Sequence, residues 1–158
     1  MELALTKRFL LACQEAKGIV EKQPRLPRGM KSGHVRVVDT IHQLAEKKVQ
    51  VRTGDVGRAM GITQPSITRL IHELVEMGYA KLHQLPEDRR VYMVALTQAG
   101  EAFYERYVRQ FHQWLNGELE GLELADVEVA IRVIHQVAQV MDRVEDCFAE
   151  TEKEIYHE

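Results

Sequence analysis

Residues 51–74, VRTGDVGRAMGITQPSITRLIHEL, restrict the fold of this chain more than any other stretch. Gly61 follows an apolar helical segment, at a position where only a residue without a Cβ adopts a left-handed backbone at little cost. Thr63 is a favourable N-cap for a second helix, and Pro65 lies in its first turn, where a backbone N–H has no intrahelical partner. The stretch therefore predicts two short helices joined by a tight turn.

The second of these helices has two different faces. At about 100° per residue, one stripe is apolar and indicates a buried side: Ile67, Leu70, Ile71, Leu74 and Val75. The opposite side carries mostly short hydrogen-bonding or cationic side chains: Thr63, Gln64, Pro65, Ser66, Thr68, Arg69 and His72. Such a face fits into a DNA groove, and the spacing is that of a helix-turn-helix. An ordinary helical hairpin in an all-helical core is the alternative.

A predicted β-hairpin follows the second helix. Residues 79–85 and 91–96 are rich in strand-forming residues and flank a charged segment, 86–90. Its two adjacent arginines, Arg89 and Arg90, suit contact with phosphates or insertion into a narrow minor groove. Asp88 can hold one guanidinium in place through a bidentate pair. A hairpin in this position is typical of a wing, and a solvated turn without DNA contact is the alternative.

The segment DVGRAMGITQPSITRLIHELVEMGYAKLHQLPEDRRVYMVALTQAGEAF resembles the winged helix-turn-helix core of the MarR family of bacterial transcriptional regulators. The residues that carry the resemblance are Thr63-Gln64-Pro65-Ser66 with Thr68-Arg69, Gly78 at the end of the recognition helix, Asp88-Arg89-Arg90 at the wing tip, and Leu96-Thr97-Gln98-Ala99-Gly100 at the start of the next helix. The layout is similar over nearly the whole chain.

The resemblance implies a mainly α fold in a single domain, 1–158. A winged helix-turn-helix core, 33–96, with a small antiparallel β-hairpin wing would be flanked by N- and C-terminal dimerisation helices, 1–22 and 97–150. The implied function is that of a homodimeric, sequence-specific transcriptional repressor. Its implied partners are a palindromic operator in double-stranded DNA and a small aromatic effector that changes the affinity for DNA.

Two positions outside the recognition helix and the wing are expected to contact phosphates. Thr53 is predicted to cap the first helix of the motif, where free backbone N–H groups attract an anion. Arg36 begins another predicted helix and ends a basic segment, in which cationic side chains suit phosphates. The other members of that segment are Lys22, Arg25, Arg28 and Lys31. Capping without DNA contact and a solvated linker are the respective alternatives.

Charge is distributed unevenly along the 158 residues. The net charge of −3 by itself argues against nucleic acid, but residues 1–50 contain 10 Lys or Arg and 5 Asp or Glu, whereas residues 97–158 contain 5 and 14. An acidic C-terminal third that lies away from a duplex lowers the affinity for DNA only slightly, because salt screens the charge repulsion beyond about 8 Å. No long apolar run indicates a membrane span and no signal peptide is recognisable, so we expect a soluble cytoplasmic protein.

The terminal regions predict a second copy of the chain. Residues 2–22 have apolar side chains at spacings of three and four, and a predicted helix over 124–148 has an apolar band too broad for one neighbour. Part of this surface is therefore expected to pack against an identical subunit. Burial within one subunit is the alternative.

Two other kinds of sensor remain open. Cys13 lies in the first helix, roughly where peroxide-sensing relatives keep a reactive thiol, but an inert buried cysteine is the preferred interpretation. His34 and His112 occupy places similar to those of zinc ligands in metal-responsive relatives. No acidic or cysteine partner accompanies them at the expected spacing, so neither a metal nor another cofactor is predicted.

Other classes of protein are less well supported by the sequence. There is no P-loop, GxSxG or HExxH motif, so we predict that the chain is not an enzyme. A winged helix that only binds another protein is a closer alternative, because the fold does not dictate the function. A steep salt dependence of duplex binding distinguishes DNA binding from that alternative.

Overall fold

The computed structural model describes residues 2–22, 24–47, 50–85 and 88–145, and within these ranges the chain is mainly helical. Its elements in chain order are α1 (Leu3–Glu21), α2 (Ser32–Lys47), α3 (Thr53–Met60), α4 (Gln64–Glu76), β1 (Ala80–Leu85), β2 (Asp88–Leu96), α5 (Gln98–Tyr104), a π-helical turn (Glu105–Arg109), α6 (Gln110–Glu118) and α7 (Leu124–Met141). Helices with one antiparallel hairpin confirm the predicted winged-helix fold class.

The chain divides into two compact units. The larger is Gly18–Gly117 and contains α2 to α5 with the hairpin, while the smaller is formed by the two ends of the chain, with most of α1 and all of α7. The apolar repeat over residues 97–117 predicts one helix, and the π-helical turn interrupts it. The assignment of 1–22 and 97–150 to dimerisation stays a prediction.

The core of the larger unit is formed mainly by α2, α3, α4 and the hairpin, with Phe103 from α5 and Val108 from the π-helical turn. The α4 stripe is buried as predicted, with Ile67, Ile71 and Leu74 fully enclosed and Leu70 and Val75 packed at its edge. Helical spacing predicts four inward residues on α2, Val35, Val38, Ile41 and Leu44. The first three are buried and Leu44 packs against the core, but Val37 is buried as well. Because α2 is covered on more than one side, its buried surface is wider than the stripe that the sequence predicted.

The turn between α3 and α4 follows the sequence closely. Gly61 has φ +65°, and its left-handed backbone ends α3. Thr63 is the N-cap of α4 by position, although its hydroxyl donates to the Ser66 Oγ at 3.1 Å rather than capping a backbone N–H. A Cβ at Gly57 would lie 3.2 Å from the Ile67 Cγ2. The absence of a side chain at Gly57 therefore lets α3 and α4 cross closely.

The predicted cap of α3 is wrong by one residue. Arg52, not Thr53, is the N-cap, and Thr53 is the first helical residue. The Arg52 N–H donates to the Asp55 Oδ2 at 3.3 Å, so a carboxylate three residues into the helix satisfies the donor. A threonine at the start of a helix is a typical N-cap in sequence. Here Asp55 accepts the backbone N–H of Arg52, so Arg52 is the N-cap and Thr53 is the first helical residue.

The hairpin pairs Ala80 with Leu96 and Gln84 with Tyr92, and its register shifts between Gln84 and Leu85. Residues 86 and 87 lie outside the described residues. The strand β2 begins at Asp88 rather than at the predicted Val91, because ladder pairing uses backbone groups and does not depend on side-chain charge.

The extended pattern of residues 49–52 predicts a short third strand, but the described residues of this segment form a single bridge. Arg52 pairs with Met93, and the Val94 N–H donates to the Val51 carbonyl at 2.9 Å. Residue 49 is outside the described part of the chain. One bridge fixes the start of α3 against the base of the hairpin.

The start of α5 is tied to the end of α4. The Thr97 Oγ1 accepts from the Gly100 N–H at 3.1 Å and donates to the Gly78 carbonyl at 2.6 Å. Gly78 has φ +79° and ends the helical segment, as the sequence predicted. This capping threonine therefore links α4 to α5.

The smaller unit has a groove and an exposed apolar surface. The groove, about 350 Å³, is lined by Phe9, Ala12, Cys13 and Ala16 of α1 and by Asp126, Val129, Ala130, Val133 and Ile134 of α7. An apolar stripe on α7, which shares Ile134 with the groove, is exposed in this chain: Val127, Ile131, Ile134, Ala138 and Met141. Among the described helices, none is both long and apolar enough to cross a membrane.

Candidate nucleic-acid interface

The solvent face of α4 carries the residues that the sequence assigned to DNA. Thr63, Gln64, Pro65, Thr68, Arg69 and His72 are exposed, and Ser66 is half-buried. The Gln64 amide reaches the Thr68 hydroxyl at 3.4 Å, within the same row of the helix. Because the opposite face of α4 is buried in the core, this polar face has a fixed direction.

A cleft of about 310 Å³ separates this face from the base of the wing. Its polar lining comes from Thr53 at the start of α3, from Gln64, Thr68 and His72 on α4, and from Tyr92 on β2, while Ile71 and Leu82 form its floor. Thr53 and the polar face of α4 therefore line the same cleft, although Thr53 does not cap α3. Hydroxyl, amide and imidazole groups of this kind can donate to phosphate oxygens or base edges.

Tyr92 is the member of this cleft that the sequence analysis missed. It is exposed, pairs with Gln84 across the hairpin and accepts a hydrogen bond from the Gln84 Nε2 at 2.9 Å. Its neighbours Met93 and Val94 are buried. An exposed aromatic beside buried strand residues was the available signal, but only the paired hairpin shows that it faces α4.

The wing arginines are described through their backbone alone. Asp88, Arg89 and Arg90 form the first residues of β2, and their side chains lie outside what the structure describes. Arg36 is exposed on α2 and does not line the cleft. The DNA contacts of these four residues remain predictions.

Glu73 is a carboxylate on the recognition helix that the sequence analysis did not single out. Its Oε2 lies 2.7 Å from the Nε2 of His34, which is fully buried at the start of α2, and 3.9 Å from the Lys31 Nζ. Its Oε1 lies 3.9 Å from the Nε of Arg69. The hydrogen bond from His34 lowers the pKa of Glu73 below the usual 4.5, partial desolvation opposes this, and the charges of Lys31 and Arg69 lower it further.

Replacing Glu73 by glutamine should change stability in a pH-dependent way. Because the folded-state pKa is lowered, the ionised carboxylate stabilises the fold above about pH 4.5, and this contribution disappears as the pH falls through the lowered pKa. Thermal unfolding should therefore place the wild-type midpoint above that of Glu73→Gln near pH 7, and the difference should shrink as the pH falls through the lowered pKa of Glu73. Glu76→Gln, which removes an exposed carboxylate from the same helix, is the control, and a Glu73→Gln difference that stays constant with pH would contradict the assignment.

The metal and redox candidates have other roles or no partners among the described residues. Both ring nitrogens of His34 are used, because its Nδ1 accepts from the Lys31 N–H at 3.1 Å and its Nε2 faces Glu73. His112 is exposed on α6 beside the Phe111 ring. No group of three metal-binding side chains occurs within the described ranges. Cys13 is a half-buried free thiol in the groove of the smaller unit.

Residues 28–91 match the model of the MarR family. A mutant of MarR from E. coli, solved with operator DNA, has 20% sequence identity and a TM-score of 0.65 over 85% of this chain and 94% of that chain. FabT from Streptococcus pneumoniae, solved with DNA, has 16% identity and a TM-score of 0.64 over 90% and 99%. These similarities show that the fold is shared.

A third similar structure was solved in a study of ligand control. It is BpsR from Bordetella bronchiseptica, whose DNA binding is regulated by 6-hydroxynicotinic acid. It has 19% identity and a TM-score of 0.63 over 85% of this chain and 98% of that chain. The segment matched by the family model contains α2, α3, α4 and β1, and thus most of the cleft described above.

Proposed function

We infer that this protein binds a palindromic operator as a homodimer and represses transcription. Its residues 28–91 match the MarR family model, and it shares the fold of MarR-family regulators. The family is one of transcriptional regulators. One observation carries the proposal: the exposed polar face of α4 and the base of the wing surround a single cleft lined by Thr53, Gln64, Thr68, His72 and Tyr92. Side chains of this length and polarity suit a major groove.

In the proposed complex, α4 enters the major groove and the wing lies along the adjacent backbone. Gln64, Ser66, Thr68 and Arg69 reach base edges or phosphates, and Thr53 and Arg36 contact phosphates. At the wing, Arg90 enters the minor groove, where a narrow groove attracts an arginine. Arg89 contacts a phosphate or shares that role.

The homodimer is supported by the exposed apolar stripe of α7. Val127, Ile131, Ile134, Ala138 and Met141 follow one another at spacings of four and three, and the exposed fraction of Ile131 is 44%. Contiguous apolar surface of this kind marks an interaction site, and the spacing fits a helix from a second copy. A two-fold pair of recognition helices about 34 Å apart matches one turn of B-DNA and selects a palindrome.

An effector is the remaining part of the proposal. PcaV from Streptomyces coelicolor was solved with its natural ligand, and BpsR is regulated by an aromatic acid. By analogy with these proteins, a small aromatic molecule is expected to change the affinity of this protein for its operator. Selection of bound fragments from the source genome identifies the operator, and the neighbouring genes then suggest which effectors to test.

Arg90→Ala tests the DNA assignment. Removing the guanidinium from the wing should weaken operator binding at least about tenfold, which corresponds to about 1.4 kcal/mol. The slope of log affinity against log salt concentration should also become shallower by about the amount that one phosphate contact contributes. Fluorescence anisotropy with the selected operator, at several salt concentrations, measures both quantities.

Arg90→Lys is the matched variant, because it keeps the charge and removes the planar fork. Insertion into the minor groove predicts that lysine restores only part of the lost affinity, whereas simple phosphate contact predicts nearly full recovery. A change of less than twofold for Arg90→Ala would refute the role given to Arg90. A wild-type protein that binds no selected duplex would refute the function.

A further inference from the structure

Glu73 is an unexpected residue for a helix that enters DNA. It lies on α4 one helical turn after Arg69, and its carboxylate is repelled by phosphates. We propose that Glu73 is a positioning residue that restrains Arg69 and thereby suppresses binding to non-operator DNA. The proposal rests on the function inferred above and extends it to the discrimination between sequences.

The carboxylate is fixed by a buried anchor. His34 is fully buried at the start of α2, and its Nδ1 accepts the Lys31 backbone N–H at 3.1 Å. In the neutral ring the proton must therefore be on Nε2, which donates to the Glu73 Oε2 at 2.7 Å. A backbone group thus selects the tautomer, and the tautomer holds one oxygen of Glu73.

The second oxygen of Glu73 is directed towards Arg69. Its Oε1 lies 3.9 Å from the Arg69 Nε, and the guanidinium side chain is 74% exposed. An isolated surface pair at this distance is weak, because both side chains are free to move. Here only one side chain is free, since Glu73 is bonded to a buried ring, and the pair therefore costs less side-chain entropy.

Restraint of Arg69 has opposite effects on the two kinds of DNA. At the operator, a guanidinium held in one orientation can form its base or phosphate contact with less loss of rotamer freedom. On other sequences, the same arginine cannot swing to the nearest phosphate, and the carboxylate adds repulsion. Glu73 therefore lowers non-specific affinity more than operator affinity.

The variant Glu73→Gln tests this inference with little change of shape. The glutamine carbonyl can still accept from His34, but the charge that attracts Arg69 and repels phosphates is removed. Binding to a scrambled duplex should become about fivefold tighter, and the ratio of operator to scrambled affinity should fall about fivefold. Anisotropy titrations of both duplexes at one salt concentration give the ratio.

Glu76→Gln is the matched control, because it removes the same charge from an exposed residue of the same helix. It should change both affinities by similar factors, so that the ratio stays within about twofold. A merely structural role for Glu73 predicts weaker binding to both duplexes by similar factors. That pattern, or an unchanged ratio with operator binding intact, overturns the inference but leaves the proposed function standing.

The double variant identifies Arg69 as the residue through which Glu73 acts. In an Arg69→Ala background, Glu73→Gln should change the affinity ratio by less than about twofold, because the restrained side chain is gone. An undiminished fivefold effect in that background would overturn the assigned route. Absence of any duplex binding by the wild-type protein would instead refute both proposals together.

Discussion

Replacing Gly100 by alanine should lower the free energy of unfolding by about 3 kcal/mol, and the thermal midpoint by about 10 °C. A Cβ at Gly100 would overlap the carbonyl oxygen of Tyr79, and it would lie 3.1 Å from the carbonyl carbon of Tyr79 and 3.2 Å from the Leu96 Cβ. That carbonyl is held in place because it accepts the Thr97 N–H at 3.1 Å, while the Tyr79 N–H donates to Leu74 at 2.8 Å. The backbone cannot withdraw without breaking the link between α4 and α5.

The control is the same substitution at Gly117, in the last turn of α6. A Cβ there meets no heavy atom within 4 Å, and φ is not positive. Alanine should therefore stabilise the helix by about 0.5 to 1 kcal/mol, since it reduces the freedom of the unfolded chain. Calorimetry of both variants separates close contact from a general effect of replacing glycine, and equal midpoints would contradict the close approach at Gly100.

Replacing Ile131 by glutamate should convert the proposed dimer into a monomer. Ile131 lies within the exposed stripe on α7, so a two-fold interface would bury two new carboxylates without partners. A monomer contacts only one half-site, and operator affinity should fall at least about a hundredfold, or about 2.8 kcal/mol. Sedimentation measures the mass, and anisotropy measures the affinity.

Gln136→Glu is the control for charge, because Gln136 is exposed on the side of α7 opposite the stripe. It should leave both the mass and the affinity within about twofold of the wild-type values. If Ile131→Glu remained a dimer with full operator binding, the α7 stripe would not be the subunit interface. If the wild-type protein were a monomer, the homodimer proposal would fail.

The elements of the helix-turn-helix could be predicted because their signals are local. Gly61 indicates a left-handed backbone, and Thr63 with Pro65 indicates the start of a helix. The helical spacing of apolar residues predicts which face of α4 is buried. Each signal depends on residues within one or two turns of the chain. The limits of β2 were less predictable, because backbone pairing continues through the charged residues Asp88 to Arg90.

The histidine at the start of α2 shows where the sequence was insufficient. His34 looked like a possible metal ligand, but in the fold it is buried and bonded to Glu73, 39 residues away in the chain. A polar residue in an apolar segment has several possible explanations, and only the identity of its partner decides among them. That partner is set by the crossing of α2 and α4.

The sequence by itself determined the order of the elements, the turn between α3 and α4, and the polar face of the recognition helix. Backbone preferences and hydrophobic periodicity act between near neighbours, so one chain is sufficient to define them. Only the tertiary structure decided that Tyr92 and Thr53 share a cleft with α4, that Glu73 is anchored on His34, and that Gly100 touches the backbone of Tyr79. These contacts depend on how helices and strands pack across long separations, where many pairings have similar local propensity.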